Sequence, residues 1–340
     1  MKRNKWLPMV LAVVAIGVLG GGYMILDQMS REEDEVETVA VPTLSGEIDS
    51  IEYTSDTGKV SLVKNGDVWQ WSEDAAFPLR QDYPQAMASQ AQTIEATSLV
   101  RSDGQNLSDY GLDDPAQSIL LSSQGDSITC LIGDLNSYTD EYYMMLEGEK
   151  EIYTVPSSFP TTFSYGLYDM IEMEQWPVST VSSVNSVTVE KSDGSSWELT
   201  ASQEDDEDLS YQVDGKEADD TSAQEYVRNI TYLTVSQCVN YKASDSELTT
   251  YGLDSPEAIL RIRYSDSAED DSSVSENEVQ EITLTIGASN GNDGYYVRIG
   301  DSQAVNVMSA EVLDEILSKN AADFEPAEET QSSSGEQANS

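Results

Sequence analysis

Carboxylates dominate the side chains of this sequence that have the capacity for chemistry. The 340 residues include 63 Asp and Glu, 17 Lys and Arg and no His, for a formal net charge of −46. The lack of His excludes Ser-His-Asp and Cys-His catalysis and removes the usual zinc ligand. Catalysis by paired carboxylates requires a defined separation and burial, and the sequence indicates neither for Asp113, Asp114 or Asp254. We therefore predict a protein that is not an enzyme and binds no cofactor or metal.

The acidic charge also restricts the partners. A net charge of −46 repels phosphates, so nucleic acid is excluded as a partner, and adsorption to anionic lipid is disfavoured. The same charge is compatible with binding to cations or basic partners. Two acidic stretches, Glu204–Asp208 and Ser265–Glu278, are predicted to be exposed loops.

Two further groups of residues leave alternatives open. Asn290-Gly-Asn-Asp-Gly294 resembles part of a calcium loop but lacks the spaced ligands and the distal Glu of an EF-hand. A hairpin loop is the alternative for this segment. Cys130 and Cys238 either form a disulfide, as an exported protein allows, or remain buried free thiols.

A duplicated phrase is the clearest internal signal. Leu107-Ser-Asp-Tyr-Gly-Leu-Asp-Asp-Pro115 returns as Leu248-Thr-Thr-Tyr-Gly-Leu-Asp-Ser-Pro256. These residues form either a shared partner-binding groove or a turn whose Tyr and Leu pack in the core, since Gly, Asp and Pro each have a backbone role in turns. The matching residues are Tyr110, Gly111, Leu112, Asp113 and Pro115 in the first copy and Tyr251, Gly252, Leu253, Asp254 and Pro256 in the second.

The segments around the phrase repeat in the same order. Apolar and polar residues alternate in them, which predicts strands, and the Asn-Gly and Asp-Gly pairs predict hairpins. Strand alternation also predicts that one Tyr of each Tyr-Tyr pair is exposed, where aromatic rings bind sugars or proteins. The matches are Ile128–Gly133 with Ile282–Gly287, Tyr142-Tyr143 with Tyr295-Tyr296, and Asn65-Gly66 before Trp69 with Asp193-Gly194 before Trp197.

A helix is predicted after the hairpin in each copy. Met87, Ala91 and Ile94 fall on one face in the first copy, and a capping box begins the second helix at Ser222. A shorter helix is predicted to close each copy. Its apolar positions in the first copy are Leu167, Met170 and Ile171, and in the second copy Ser309 is its predicted N-cap.

These elements predict an α+β fold class. The predicted fold has two tandem repeats, each a mostly antiparallel sheet with one or two packed helices, plus one N-terminal transmembrane helix. The predicted domains are a cytoplasmic basic flank at 1–5, a transmembrane helix at 6–26, an acidic tether at 27–46, repeat modules at 47–177 and 178–325, and a disordered tail at 326–340.

The N-terminal segment carries the prediction of location. Basic residues within 1–5 precede an uncharged apolar run over 6–26, which is long enough for a helix that spans a membrane. Basic flanks stay in the cytoplasm, so we expect a single-pass cell-membrane protein whose C-terminal domain is extracytoplasmic. A cleaved signal peptide is the alternative, with Gly20 and Gly22 as the small residues of its cleavage site.

The repeated pattern resembles a bacterial family of domains of unknown function, numbered 4340. The resemblance spans residues 47–324 and rests on Tyr110–Pro115, on Tyr251–Pro256, on the later strand-Gly and Tyr-Tyr segments, and on the N-terminal apolar run. It implies an extracytoplasmic protein whose gene is often associated with those of ABC transporters and their auxiliary subunits, and it supplies no catalytic residues. We therefore expect a non-catalytic accessory protein of an ABC-type transport or envelope complex, or alternatively an acidic cell-surface module that binds cations or envelope polymer.

Overall fold

The computed structural model of this chain describes residues 39–202, 209–265 and 279–326. The described chain divides by its packing into two units. Unit 1 comprises residues 39–73 and 81–166, and unit 2 comprises residues 74–80 and 167–326. The predicted repeat modules are defined by duplicated sequence rather than by packing, so their boundaries stay predictions.

Unit 1 contains an eight-stranded antiparallel sheet and two helices. Its elements in chain order are β1 (Val39–Ala40), β2 (Ser50–Ser55), β3 (Gly58–Asn65), β4 (Val68–Trp71), α1 (Asp82–Gln92), β5 (Glu95–Ala96), β6 (Ser98–Arg101), β7 (Gln117–Ser123), β8 (Asp126–Asn136), β9 (Glu141–Leu146), β10 (Ile152–Pro156) and α2 (Ser158–Thr162). The strand order in the sheet is β4-β3-β2-β7-β8-β9-β10-β6, and β1 pairs separately with β5.

One face of this sheet packs against α1. Ile51 and Tyr53 are buried and alternate with more exposed residues along β2, as expected for a strand with one face in the core. Met87 and Ala91 lie on the buried face of α1. The helix ends at Gln92, so Ile94, which the apolar spacing placed on the helix, is buried from the segment that follows it.

Unit 2 repeats this plan with a nine-stranded sheet. Its elements are β11 (Val184–Lys191), β12 (Ser196–Ser202), β13 (Ser210–Val213), β14 (Lys216–Glu217), α3 (Asp220–Thr231), β15 (Val235–Asn240), α4 (Asp245–Leu248), β16 (Ala258–Ser265), β17 (Val279–Ser289), β18 (Gly294–Ile299), β19 (Val305–Ser309) and α5 (Ala310–Ser318). The strand order is β14-β13-β12-β11-β16-β17-β18-β19-β15. Strands β2, β7, β8, β9 and β10 of unit 1 therefore correspond to β11, β16, β17, β18 and β19.

Helix α3 begins earlier than the predicted cap at Ser222. The N-cap is Asp219, whose carboxylate accepts a hydrogen bond from the backbone N–H of Ser222 at 2.8 Å. Hydrogen bonds from Ser222 lower the pKa of Asp219. An aspartate at this position both satisfies an unpaired N–H and places negative charge at the positive end of the helix.

The predicted helix at the end of each copy is correct in unit 2 and wrong in unit 1. Ser309 caps α5 as predicted, because its Oγ accepts from the N–H of Glu311 at 3.3 Å. In unit 1 the corresponding helix is α2, directly after β10. Leu167–Met170, predicted to be that helix, is instead a 3₁₀ turn of unit 2.

The strand register also corrects one match between the copies. Asn65-Gly66 joins β3 to β4, whereas Asp193-Gly194 joins β11 to β12, one hairpin earlier in the repeat. Trp69 therefore does not correspond to Trp197. It corresponds to Tyr211 of β13.

A hydrogen bond at the start of the following helix supports this revised match. Gln81, at the N-terminus of α1, accepts from the backbone N–H of Trp69 at 2.8 Å. Asp220, at the N-terminus of α3, accepts from the backbone N–H of Tyr211 at the same distance. The two copies therefore tie the third strand of the hairpin region to the helix in the same way.

The predicted fold class is wrong as a whole. Strands hold 42% and helices 22% of the structure, in two sheet-rich units. Among residues 39–202, 209–265 and 279–326, no helix is long and apolar enough to cross a membrane. The longest, α3, has 12 residues, against the ~20 that a bilayer requires. The described residues therefore form two antiparallel sheet-rich units, and none of their helices spans a membrane.

Several predictions concern residues that lie outside the described ranges. These are the basic flank at 1–5, the helix at 6–26, the tether up to residue 38, the tail from residue 327, and the acidic stretches at 204–208 and 266–278. Ser265 itself ends β16.

Candidate functional site

The duplicated phrase forms the same turn in both units. A 3₁₀ turn ends at Tyr110 in unit 1 and at Tyr251 in unit 2. The following glycines have φ of 66° and 69°, in the left-handed region that glycine adopts without strain. The turn is closed by the same backbone bond in both copies, from Leu112 N–H to Leu107 at 2.9 Å and from Leu253 N–H to Leu248 at 3.0 Å.

A second glycine in each copy receives this turn. A Cβ on Gly133 of β8 would lie 2.1 Å from the carbonyl oxygen of Tyr110, and one on Gly287 of β17 would lie 2.3 Å from that of Tyr251. The pairing of β8 with β9 and of β17 with β18 shifts register at these glycines. The two repeated segments, Tyr-Gly-Leu-Asp and Ile-Gly, are therefore two sides of one close backbone contact.

The phrase also builds a small apolar cluster on its sheet. The rings of Tyr110 and Tyr143 lie 4.9 Å apart at 67°, and those of Tyr251 and Tyr296 lie 5.0 Å apart at 66°. Leu112 and Leu253 are buried in the respective clusters. In each Tyr-Tyr pair both rings are half-buried rather than one being exposed.

The remaining predicted site residues lie at the surface of the turn. Asp113 and Asp254 are exposed, and Pro115 and Pro256 are half-buried. Asp254 accepts a hydrogen bond from the Thr249 hydroxyl at 3.0 Å. The geometry supplies a structural role for the tyrosine, glycine and leucine of each copy, and the prediction of a partner groove at the motif stays a prediction.

A polar cavity lies immediately after the motif in unit 1. It has a volume of about 220 Å³ and is formed by the ends of β2, β7, β8 and β9 together with α2. Ala116, Ile132 and Pro160 supply its apolar surface. Its polar lining consists of Thr54, Ser55, Asp56, Gln117, Tyr142, Thr161 and Ser164.

Unit 2 fills the corresponding position with its own side chains. Counted from the shared motif, the register places Tyr295 at the position of Tyr142 and Asp314 of α5 at the position of Thr161. The Tyr295 hydroxyl donates to Asp314 at 2.8 Å, and this bond raises the pKa of Tyr295. Thr161 is shorter than Asp314, and α2 has 5 residues where α5 has 9, so space remains beside Tyr142.

A lysine occupies the other side of this position in unit 2. Lys191 corresponds to Ser55, because it lies opposite Ala258 at the start of β16, as Ser55 lies near Gln117 at the start of β7. The Lys191 ammonium donates to three oxygens at the end of α5: Leu317 O at 2.7 Å, Lys319 O at 2.8 Å and Asn320 Oδ1 at 3.0 Å.

Other cavities in the described chain include one in each unit. One of about 400 Å³ lies between α1 and β3 in unit 1, where Lys64 pairs with Glu47 and Gln92 donates to Gly46 O at 2.7 Å. One of about 270 Å³ lies beside Lys216 in unit 2. In the former, the charged groups at the wall are already paired with each other, which leaves fewer groups for a ligand.

The cysteines are buried free thiols, so the disulfide alternative is wrong. Burial raises the pKa of Cys130 to about 12 and that of Cys238 to about 11. Both side chains therefore stay protonated near neutral pH and are poor nucleophiles.

Residues Asn290–Gly294, which resemble part of a calcium loop in sequence, form a hairpin loop. The side-chain oxygen of Asn290 accepts from the N–H groups of Asn292 at 2.8 Å and Gly294 at 3.1 Å, between β17 and β18. In the part of the chain that the structure describes, no group of three or more Asp, Glu or Cys side chains is arranged to hold a metal ion.

Sequence reasoning missed the residues of the polar cavity. The available signal was the stretch Ser157–Ser164, which is rich in Ser and Thr and is aligned by the repeat with the apolar helix after Ser309. A loss of helix length and side-chain volume in one copy of a repeat indicates open space in that copy.

Comparison with known proteins shows the family of the chain. No curated protein and no solved structure gives a match. A family model described as "Domain of unknown function (DUF4340)" matches residues 69–256 and 239–327, which together cover more than half of the chain. The matched ranges include both copies of the Tyr-Gly-Leu-Asp-x-Pro turn and both strand glycines that receive it. The chain belongs to the DUF4340 family of domains of unknown function.

Proposed function

We propose that this protein is a non-catalytic binding protein that acts outside the cytoplasm as an accessory component of an ABC-type transport or envelope complex. In this proposal the polar cavity of unit 1 is the binding site. The observation that carries the proposal is the difference between the two copies: unit 1 leaves open a position that unit 2 fills with Lys191 and Asp314.

The chemistry of the lining supports binding rather than catalysis. The hydroxyls of Thr161 and Ser164 donate to backbone carbonyls, each at 2.7 Å. A nucleophilic hydroxyl requires a base to take its proton, and the lining contains no Lys, Cys or His. Asp56 is its one carboxylate, so the lining does not contain the carboxylate pair that glycoside hydrolysis uses.

The partner is tested by cross-linking from the cavity rim. A photoreactive residue replaces Thr54, which is exposed at the rim, in bacterial cells that produce the protein. We expect cross-links to an ABC-transporter subunit or to envelope polymer, identified by mass spectrometry.

The matched controls are the same probe at exposed Asp301 of unit 2 and the Thr54 probe combined with Ser164→Leu, which fills the cavity. Recovery of the protein alone, or of products that Ser164→Leu leaves unchanged, would contradict the proposal.

A second candidate function is an acidic cell-surface module that binds cations or envelope polymer. The formal net charge of −46 favours it, because a strongly acidic surface concentrates cations. A melting temperature that rises with millimolar calcium, beyond the rise in sodium chloride of equal ionic strength, supports this function. Equal rises count against it.

A further inference from the structure

We infer that the unit 1 cavity binds a primary alkylammonium group carried by its ligand. This inference rests on the proposed function, since it names the chemistry that the same cavity takes. It follows from three features of the cavity: the direction of its hydroxyl groups, the identity of its charged residue, and the group that fills the same position in unit 2.

The hydroxyl hydrogens on the α2 side of the cavity are already used. Thr161 Oγ1 donates to Ser157 O at 2.7 Å, and Ser164 Oγ donates to Thr161 O at 2.7 Å. A serine or threonine hydroxyl has one hydrogen and two lone pairs. These two side chains therefore offer a ligand only lone pairs, and they act as acceptors.

The strand side of the cavity is also rich in acceptors. One N–H of the Gln117 side chain donates to Phe163 O at 2.7 Å, which leaves the amide oxygen as an acceptor and the second N–H as a donor. Asp56 at the rim is an acceptor when ionised. Of the hydroxyl groups that line the cavity, those of Tyr142 and Thr54 have no protein acceptor within the described chain.

An ammonium group complements this lining. It has three N–H donors, one positive charge and no acceptor. Hydrogen bonds that involve a charged donor are shorter and about twice as strong as neutral ones. A carboxylate, phosphate or sulfate ligand would instead meet the negative charge of Asp56 and several lone pairs, with donors only from Tyr142, Thr54 and one N–H of Gln117.

Unit 2 shows how the duplicated fold accommodates such a group. Lys191 places its ammonium at the end of α5, on two backbone carbonyls and Asn320 Oδ1, at 2.7 to 3.0 Å. Ser55 replaces this lysine in unit 1, and Ser164 replaces the large side chain of Leu317. Unit 1 therefore lacks the ammonium that its duplicate supplies beside this position. A ligand ammonium in unit 1 would meet the oxygens of the cavity lining, which are not the counterparts of the oxygens that hold Lys191.

The volume of the cavity fits a small amine. A water molecule occupies ~30 Å³ in the liquid, and the cavity has about 220 Å³. It has room for an ammonium and several methylene groups, with Ile132 and Pro160 as apolar surface for the methylenes.

The test is a nuclear magnetic resonance titration of the full chain, labelled with ¹⁵N, at fixed ionic strength. The probes are n-butylammonium and its neutral analogue 1-butanol. Nα-acetyl-lysine N-methylamide and glucosamine follow, to distinguish a side-chain amine from an amino sugar. We expect saturable shifts of amides near Gln117, Tyr142 and Ser164 with butylammonium, and none there with 1-butanol.

Three variants separate the cavity from the general acidic surface. Ser55→Lys introduces the residue of unit 2, and Ser164→Leu fills the cavity without adding charge; each is expected to weaken binding at least ~10-fold. Ser118→Lys adds the same charge on the other face of β7 and is expected to change the apparent Kd less than ~2-fold.

Specific outcomes would overturn the inference. These are equal shifts with 1-butanol, equal or larger shifts at the same amides with potassium or calcium ions, and diffuse shifts that do not saturate. If the amine fails to bind but Ser164→Leu still abolishes the Thr54 cross-link, the ligand chemistry is wrong and the proposed function stands. If the amine binds but the cross-link is absent, the proposed function is wrong and the ammonium site stands.

Discussion

The two units use the same turn and the same strand glycine, but they differ in what fills the end of the sheet. In unit 2, the Lys191 ammonium donates to a carbonyl at the end of α5, and the Tyr295 hydroxyl donates to Asp314 of the same helix. These bonds close the position. In unit 1, Ser55, Tyr142 and Thr161 leave about 220 Å³ open. The backbone contact that defines the repeat is therefore kept in both copies, while the side chains around it have diverged from a closed to an open arrangement.

The largest expected effect tests what the units share. Gly133→Ala and Gly287→Ala each place a Cβ within 2.1 or 2.3 Å of a tyrosine carbonyl oxygen. The tyrosine carbonyl would have to move away from the new Cβ, which requires a shift of the backbone. Each substitution is therefore expected to lower the free energy of unfolding of its own unit by about 3 kcal/mol or more. Urea unfolding with hydrogen exchange, resolved by unit, measures this.

The control for both substitutions is Gly148→Ala. A Cβ there meets no atom within 4 Å, and only the φ of 85° is unfavourable, so about 1 kcal/mol is expected. Equal losses for Gly133→Ala and Gly148→Ala would show that the close contact is not the reason for the strand glycine.

The next effect tests the closed position of unit 2. Lys191→Met removes three hydrogen bonds at the end of α5 and leaves its carbonyls without these donors. We expect a loss of about 1–2 kcal/mol in unit 2, measured by the same unfolding experiment. Ser55→Ala, at the same position in unit 1, is expected to cost less than ~0.5 kcal/mol. A larger loss for Ser55→Ala would contradict the assignment of the closed and open copies.

The stability of each unit in acid can be tested separately, because each unit contains an ion-paired aspartate whose pKa is lowered. Hydrogen bonds from Lys242 lower the pKa of Asp74 in unit 2 to about 2, and those from Arg101 lower that of Asp103 in unit 1 to about 2. A lowered carboxyl pKa stabilises the folded state above the unfolded pKa of ~4, and this stability is lost as pH falls from about 4 to about 2.

Asp74→Asn is therefore expected to reduce this pH dependence in unit 2 alone, where Asp193, Asp219 and Glu247 retain part of it. Asp103→Asn is expected to reduce it in unit 1 alone. Hydrogen exchange between pH 2 and pH 5 measures the two units separately. The control Asp301→Asn changes an exposed carboxyl of unit 2. A flattened profile in the wrong unit, or with the control, would contradict the assignment of these pairs.

The smallest effects lie at the corresponding hairpin tips. Asn290 in unit 2 accepts two backbone N–H groups, so Asn290→Ala is expected to cost about 1 kcal/mol. Tyr138 at the β8–β9 tip of unit 1 is 98% exposed, and Tyr138→Ser is expected to change stability by less than ~0.5 kcal/mol. Thermal unfolding of the two variants gives the comparison, and the reverse order would contradict it.

Local sequence patterns predicted the structure correctly where neighbouring residues determine it. The antiparallel pairing, the Ser309 cap and the packing of Tyr and Leu in the repeated turn follow from alternation, capping chemistry and turn residues. The helix start at Asp219 was missed because Ser222 also fits a cap, whereas in the structure the Asp219 carboxylate accepts the N–H of Ser222 and Asp220 bonds to β13. The match of Trp69 with Trp197 failed because hairpin signals repeat within one copy, and only strand order shows which hairpin is which.

The sequence by itself determined the duplication, the acidic charge, the lack of His-based catalysis and the residues of the shared turn. Only the tertiary structure decided that Tyr-Gly-Leu-Asp and Ile-Gly contact each other, that each cysteine is a buried free thiol, and that one copy is open where the other is closed. The physical reason is distance along the chain: Ser55, Gln117, Tyr142 and Ser164 meet only through strand register. No local pattern records a volume that four separate segments leave between them.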